Sequence, residues 1–231
     1  MAVLCNDGIR AGAVALAAAS SGGDTYKIEG SLRSNRDDDP QMIRIPGNEG
    51  DKRTWTVSFW AKRSLNGNAH EKVFTGYSGA DACGVRFLNN YVHFYHWDPD
   101  TYDFDLRTNA LLTDSNAWYH IVCVYDSNNT TASERAKIYI NGKLASLQTA
   151  TYPAQHHDSH FMNDTNTHYL FREASNTGED YNGYIADFQF IDGLALSPAA
   201  FGSFDSTGVW NPKAFALPAP NKGVTHSSTL T

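Results

Sequence analysis

From Thr54 onward the hydrophobic positions recur with period two, the spacing that sends alternate side chains to opposite faces of a strand. In "TWTVSFWAK" this sets Trp55, Val57, Phe59 and Ala61 on one face and Thr56, Ser58, Trp60 and Lys62 on the other. "GVRFLNNYVHFYHW" predicts a hairpin, because Asn89 and Asn90 tolerate the positive φ of a two-residue turn. Its second arm carries Tyr91, His93, Tyr95 and Trp97 on one side. In "AWYHIVCVYD", Trp118, Val122 and Val124 alternate with Tyr119, Ile121, Cys123 and Tyr125, so both faces are apolar and the segment is expected to be a central strand. "KIYINGKLAS" places Ile138 and Ile140 on one face and supplies Asn141-Gly142, a strong type I′ turn signal. "GYIADFQFI" is expected to turn Tyr184, Ala186, Phe188 and Phe190 toward a core, with Asp187 and Gln189 facing away.

No convincing helical periodicity occurs between Thr54 and Ile191, whereas "LSPAAFGSF" offers Ser197 as an N-cap and Pro198 at a first helical position. Closely spaced strands with Gly/Asn turns indicate an all-β fold, a two-sheet antiparallel jelly-roll sandwich with one short helix near the C-terminus. The expected organisation is an Ala/Gly-rich N-terminal arm over 1–25, one sandwich domain over 26–210 and an extended C-terminal tail over 211–231, where three of the chain's eight prolines fall. "AGAVALAAA" imitates a secretory signal, but Asp7 precedes it and Arg10 is its lone basic residue, so an assembly arm using Leu4, Ile9, Val14 and Leu16 is the expectation. No stretch reaches the ~18 consecutive apolar residues of a membrane span.

With 231 residues, 41% hydrophobic positions, 12 Tyr, 12 Phe and 5 Trp, the chain can fill one large core. A net charge of −7 with scattered basic residues lacks the electrostatic footprint of nucleic-acid binding. Cys5, Cys83 and Cys123 form no paired framework, which suits a reducing assembly compartment with no obligatory disulfide.

Catalytic constellations are weak. The strand-borne Glu-x-Asp-x-x-Glu pattern of a glycan hydrolase is missing, and Glu29, Glu49, Glu71, Glu134, Glu173 and Glu179 read as solvated surface. There is no Gly-x-Ser-x-Gly elbow, no phosphate-cradling glycine loop, and no base beside Cys123. "HHDSH" groups His156, His157, Asp158 and His160, donors that zinc or nickel accepts, but with no Cys partner and no second spaced cluster. His93 and His96 fall on opposite faces of their strand and cannot jointly chelate. "RDDDP" and "DPDTYDFD" gather hard oxygen ligands, so Ca2+ is a cofactor the composition admits, without assignable positions. "YHWDPDTYDFD" mixes Trp97, Tyr102 and Phe104 with acids, the composition of sugar-binding loops. Trp97, Asp98, Tyr102, Asp103, His156 and His160 are therefore the candidate glycan contacts.

"WTVSFWAKR", "AWYHIVCVYD", "AKIYINGKLAS" and "YNGYIADFQFIDGLALSPAAFGSFD" together resemble the concanavalin A-like lectin/glucanase superfamily, in its laminin-G-like or pentraxin-like form. "SLRSNRDDDPQMIRIPGNEGDKRTWTVSFWAKRS" and "IADFQFIDGLALSPAAFGSFDSTGVWNPK" resemble, more narrowly, segments of virion proteins of tailed phages, cyanophages in particular. The resemblance implies a non-enzymatic structural protein at the virion surface, assembled in the host cytoplasm as capsid decoration or as a tail or fibre component. Its implied partners are other virion proteins, sister copies in a homo-oligomer and a host-surface glycan, with a glycan hydrolase or a secreted lectin as the alternatives.

Overall fold

The computed structural model describes residues 26–64, 70–79, 81–173 and 178–217, and the backbone alone of 3–5 and 8–11. In chain order its strands begin with β1 (Val3–Cys5), β2 (Gly8–Ala11), β3 (Leu32–Ser34), β4 (Met42–Arg44), β5 (Thr54–Arg63) and β6 (His70–Ser78). Next come β7 (Asp81–Leu88), β8 (Tyr91–Asp98), β9 (Thr101–Thr108), β10 (Tyr119–Asp126), β11 (Ala136–Ile140) and β12 (Lys143–Leu144). The last five are β13 (Leu147–Thr151), β14 (His168–Leu170), β15 (Gly183–Asp192), β16 (Gly202–Phe204) and β17 (Trp210–Pro212).

Two large antiparallel sheets form the sandwich. One is eight-stranded, ordered β1-β2-β15-β5-β10-β11-β12 with β3 also on β15, and the other is seven-stranded, ordered β13-β9-β8-β7-β6-β14-β4. Both Asn-built hairpin turns form as the sequence implies, with φ of 47° and 74° at Asn89 and Asn90 and of 47° and 77° at Asn141 and Gly142. β10 lies between β5 and β11, as its two apolar faces require. Leu4 and Ile9, expected in an assembly arm, fall in the β1–β2 hairpin, whose backbone joins β15 at Phe188 and Gln189, while Val14 and Leu16 lie outside the described residues.

Period two explains the core. Trp55, Val57, Phe59 and Ala61 all point inward with no exposed surface, beside Ile121, Cys123 and Tyr125 of β10. Val85, Phe87, Phe94, Phe104 and Leu106 meet them from the facing sheet. Cys83 and Cys123 are buried free thiols, and burial pushes the Cys123 thiol far up.

The inward face assigned to β15 needs a correction. Ala186 pairs with Trp60 and Gln189 with Ser58, so β15 spends three residues where β5 spends two. This β-bulge, with Asp187 at φ 46°, switches the alternation. Tyr184 and Ala186 therefore pair with Lys62 and Trp60 on the outer face while Ile185 packs inside, and only beyond the bulge do Phe188 and Phe190 enter the core.

The outer face of the eight-stranded sheet is covered by the chain's own C-terminal segment. Val122, Val124 and Ile191 pack there against Phe201 and Phe215, so burial continues into the stretch expected as a tail, and residues 218–231 lie outside the described residues. The short helix is a single 3-10 turn, Pro198–Ala200, with proline at its start, although Ser197 makes no side-chain cap bond. Under this cover His120 stacks between Trp60 and Trp210, ring centroids 4.9 and 5.9 Å away. Trp210 Nε1–H donates to His120 Nδ1 at 3.0 Å, so His120 Nε2–H is left to face Ser58 Oγ at 2.9 Å. Burial holds the His120 imidazole neutral, its pKa lowered to about 3.

Gly142 is doubly constrained: a Cβ there would occupy positive φ and stand 2.3 Å from the Trp210 ring. Gly142→Val is expected to destabilise the fold by about 1–3 kcal/mol in urea unfolding, and an unchanged midpoint would contradict this turn geometry.

Candidate functional site

At the Trp55 end of the sandwich, three elements converge. β8 supplies His96 on its inward face, paired with Cys83 across the sheet. β9 supplies Asp103 through a bulge: His96 pairs with Phe104 and Trp97 with Tyr102, leaving Asp103 as the extra residue. A bulge re-aims a side chain out of strict alternation, and here it brings Asp103 to His96 while sending Tyr102 to the opposite face. The third element is the loop over 152–167. Its backbone is pinned by the amides of His156, Ser159 and Met162, which donate to Ser127 O, Lys52 O and Ser159 O at 2.8, 2.9 and 3.1 Å.

His96 Nδ1 lies 3.1 Å from Asp103 Oδ2, and His157 Nε2 lies 3.3 Å from the same oxygen. The His160 ring stacks on His96 at 5.4 Å and stands 5.7 Å from His157. Burial, only partly opposed by Asp103 and reinforced by His157 and His160, lowers His96 to about 4, so its imidazole is neutral near pH 7. Among the described residues, His96, Asp103 and His157 form the group whose ligand atoms all lie within 4.8 Å of one another.

This places Asp103 and His160 of the expected contacts together, but not His156. His156 is exposed, its Nδ1 3.1 Å from Asn128 Oδ1, and Asp158 pairs with Arg53 at 2.6 Å. Positive φ at His156, 63°, turns the segment so that its neighbours diverge. The "HHDSH" cluster is thus split, and the second cluster that the sequence did not reveal comes from β8 and β9.

Trp97 and Tyr102 sit on the other side of the same strands, on the outer face of the seven-stranded sheet, half-buried with ring centroids 4.6 Å apart. Asp98 is exposed at the adjoining turn. Behind this pair, Lys72, Arg86, His93 and Arg107 stand in one cross-strand row. Arg86 donates to His93 Nδ1 and to Tyr102 Oη, both at 3.0 Å, and lies over the Tyr95 ring at 4.2 Å. Arg107 grips both oxygens of Asp105 at 2.9 and 2.7 Å, and the other ring nitrogen of His93 lies 3.0 Å from Asp105. Burial lowers His93 to about 4 despite Asp105, with Arg86 and Arg107 adding to the effect. For Lys72, burial works against the charge, yet Tyr95 and Glu173 prevail and hold its pKa up. Sequence reasoning missed this polar row; its signal was charged residues at alternate positions of apolar strands, as in "GVRFL" and "FDLR".

The glutamates need a correction too. Arg63 continues the inward face of β5, and Glu71, level with Phe87 on the inner face of the facing sheet, meets it: Arg63 Nε donates to Glu71 Oε2 at 2.7 Å, both residues essentially unexposed. Glu173 is buried against Lys72. A buried cation demands an anion, so neither is solvated surface. Asp180 is also enclosed, and burial raises its pKa to about 6, against the pull of Arg172 and Arg36. In "RDDDP", Arg172 takes Asp39 at 2.5 Å and Asn35 takes Asp38 at 2.9 Å.

A family profile of concanavalin A-like lectin/glucanases matches residues 37–200. The chain belongs to the concanavalin A-like lectin/glucanases superfamily. Solved structures similar to this concanavalin A-like domain include domain 4 of AbnA, a GH43 extracellular arabinanase from Geobacillus stearothermophilus, in complex with arabinotriose (18% identity, TM-score 0.48, 64% of each chain covered). The chain thus spans less than two thirds of that domain's length. A heptameric SAP-like pentraxin from Limulus polyphemus is similar at 16% identity and TM-score 0.49, with 68% of this chain and 71% of that one covered. The receptor binding domain of botulinum neurotoxin D is similar at 18% identity and TM-score 0.46, with 75% and 45% covered. No curated protein matches the chain.

In this concanavalin A-like domain Glu71 is assigned a structural role. Glu71→Gln leaves Arg63 as an uncompensated buried charge and is expected to cost about 3–5 kcal/mol in chemical unfolding; a variant as stable as the wild type would refute the assignment.

Proposed function

We propose that the chain is a non-enzymatic glycan-binding module displayed on the surface of a tailed-phage particle. The observation that carries the binding half is the half-exposed Trp97–Tyr102 pair, fixed by the Arg86 bond to the Tyr102 hydroxyl and flanked by exposed Asp98. Rings held at a fixed angle offer apolar faces to the C–H groups of a sugar while nearby carboxylates accept from its hydroxyls. Preorganisation of this kind lowers the entropic cost of binding. The superfamily fold is consistent with such a role, though fold alone does not assign function.

The non-enzymatic half is supported by the acids. Two of the chain's glutamates, Glu71 and Glu173, are committed to Arg63 and Lys72 in the interior. The particle location rests on the opening and closing segments that resemble tailed-phage virion proteins. In this reading the module assembles as a symmetric homo-oligomer on neighbouring virion proteins, and the rigid sandwich presents the outer face of its seven-stranded sheet to a host-surface glycan.

A glycan array probed with the wild-type chain and with Trp97→Ala, with and without Ca2+, tests the binding. At least one glycan class is expected to bind, and Trp97→Ala to weaken it by roughly tenfold or more. Binding that survives Trp97→Ala unchanged, or turnover of a polysaccharide, would replace this reading. Stoichiometric presence in purified particles is the matching expectation for location.

A further inference from the structure

We propose that His96, Asp103 and His157 bind a divalent transition ion of the zinc class, which clips the loop over 152–167 to the β8–β9 end of the sandwich. The site is separate from the Trp97–Tyr102 face and does not depend on glycan binding.

The distances fit. Zinc bonds of about 2.0–2.2 Å in a tetrahedron put neighbouring ligand atoms about 3.3–3.5 Å apart. His96 Nδ1 and His157 Nε2 lie 3.1 and 3.3 Å from Asp103 Oδ2, already close to that spacing. The chemistry also selects the ion. Two imidazoles and one carboxylate suit zinc, nickel or cobalt, whereas Ca2+ takes 6–8 oxygen ligands.

The contacts of His157 point the same way. Tyr125 Oη lies 3.0 Å from both His157 Nδ1 and the His157 carbonyl oxygen. The carbonyl can only accept, so the single hydroxyl proton goes to it and His157 Nδ1–H donates to the hydroxyl. His157 Nε2 is the nitrogen left to face the carboxylate, 3.3 Å from Asp103 Oδ2. This is the outer-shell arrangement that fixes the tautomer of a metal-ligating histidine.

His96 is an independent indication. Its Nδ1 is buried, the residue being 2% exposed, and it faces the same Asp103 Oδ2 at 3.1 Å. Two ring nitrogens thus converge on one carboxylate oxygen, with all three ligand atoms within 4.8 Å of one another, the donor set a zinc-class ion takes. Asp103 and His157 keep 30% and 18% of their side-chain surface exposed, which leaves an entry path. Exposed His160 stacks on His96 and is not one of the three ligands; a zinc-class ion held by three protein ligands keeps a further position for water.

The test uses the full chain without an affinity tag, stripped with chelator and titrated with ZnCl2 by calorimetry and with CoCl2 by visible absorption. One ion per chain is expected, with the intense d–d bands of tetrahedral cobalt and a rise in Tm on zinc addition. CaCl2 is expected to give neither signal. His157→Gln and Asp103→Asn should abolish the cobalt bands. Tyr125→Phe, which keeps the ring and loses only the hydroxyl, should weaken zinc by roughly 10–100-fold. His156→Ala should bind as the wild type. Absence of one-to-one binding, binding that survives loss of His157, or binding lost with His156 would overturn the proposal. Circular dichroism on each variant separates loss of the ion from loss of the fold.

Discussion

Trp55 is the side chain on which the two layers and the loop between them agree. Its indole stacks on Tyr125 of its own sheet at 5.3 Å and takes the edge of Phe94 from the facing sheet at 5.4 Å. Its one polar atom, Nε1–H, donates to Ser159 Oγ at 2.8 Å, and that hydroxyl donates in turn to Lys52 O, also at 2.8 Å. A buried indole N–H without an acceptor costs about 1–3 kcal/mol, so the core keeps Ser159 in place. With Ser159 come His157 on one side and Met162 on the other. The loop that completes the histidine cluster is therefore positioned from inside the sandwich. At the far end of β5 the interlayer ion pair of Arg63 and Glu71 closes the same core.

Around this frame, single-residue irregularities decide what faces where. The bulge at Asp103 separates two faces with different chemistry: His96 and Asp103 at the sandwich end, Trp97 and Tyr102 on the outer surface. Had β9 kept strict alternation, Asp103 and Tyr102 could not both stand where they do. The bulge in β15 does the same for Tyr184 and Ile185. Neither feature is a flaw in the sheet; each changes which side chains face the core and which face outward.

The sequence made the fold legible because period-two patterning and Asn-containing turns are local. Trp55 to Ala61 along β5, Asn89-Asn90 and Asn141-Gly142 each carry their own signal within a few residues. What stayed hidden depends on partners far along the chain. Nothing near Glu71 announces that Arg63 of the other sheet needs a counter-charge, so it read as surface. His96 and His157 are sixty-one positions apart by their numbers, and only the bulge and the pinned loop join them to Asp103. Trp97 and Tyr102 were visible as sugar-type aromatics, but the Arg86 bond that fixes Tyr102 was not. Bulges escape pattern reading in general, because one extra residue shifts every later side chain to the other face.

The central claim is that the Trp55 core and the 152–167 loop form one cooperative unit. Native-state hydrogen exchange tests it most directly, by comparing the amides of Ser159 and Met162 with those of β5 and β10. The account predicts that these loop amides exchange at the strand rate, through global unfolding, and that Trp55→Phe frees them while the strands stay protected. Loop amides that exchange freely in the wild-type chain while the strands remain protected would contradict it.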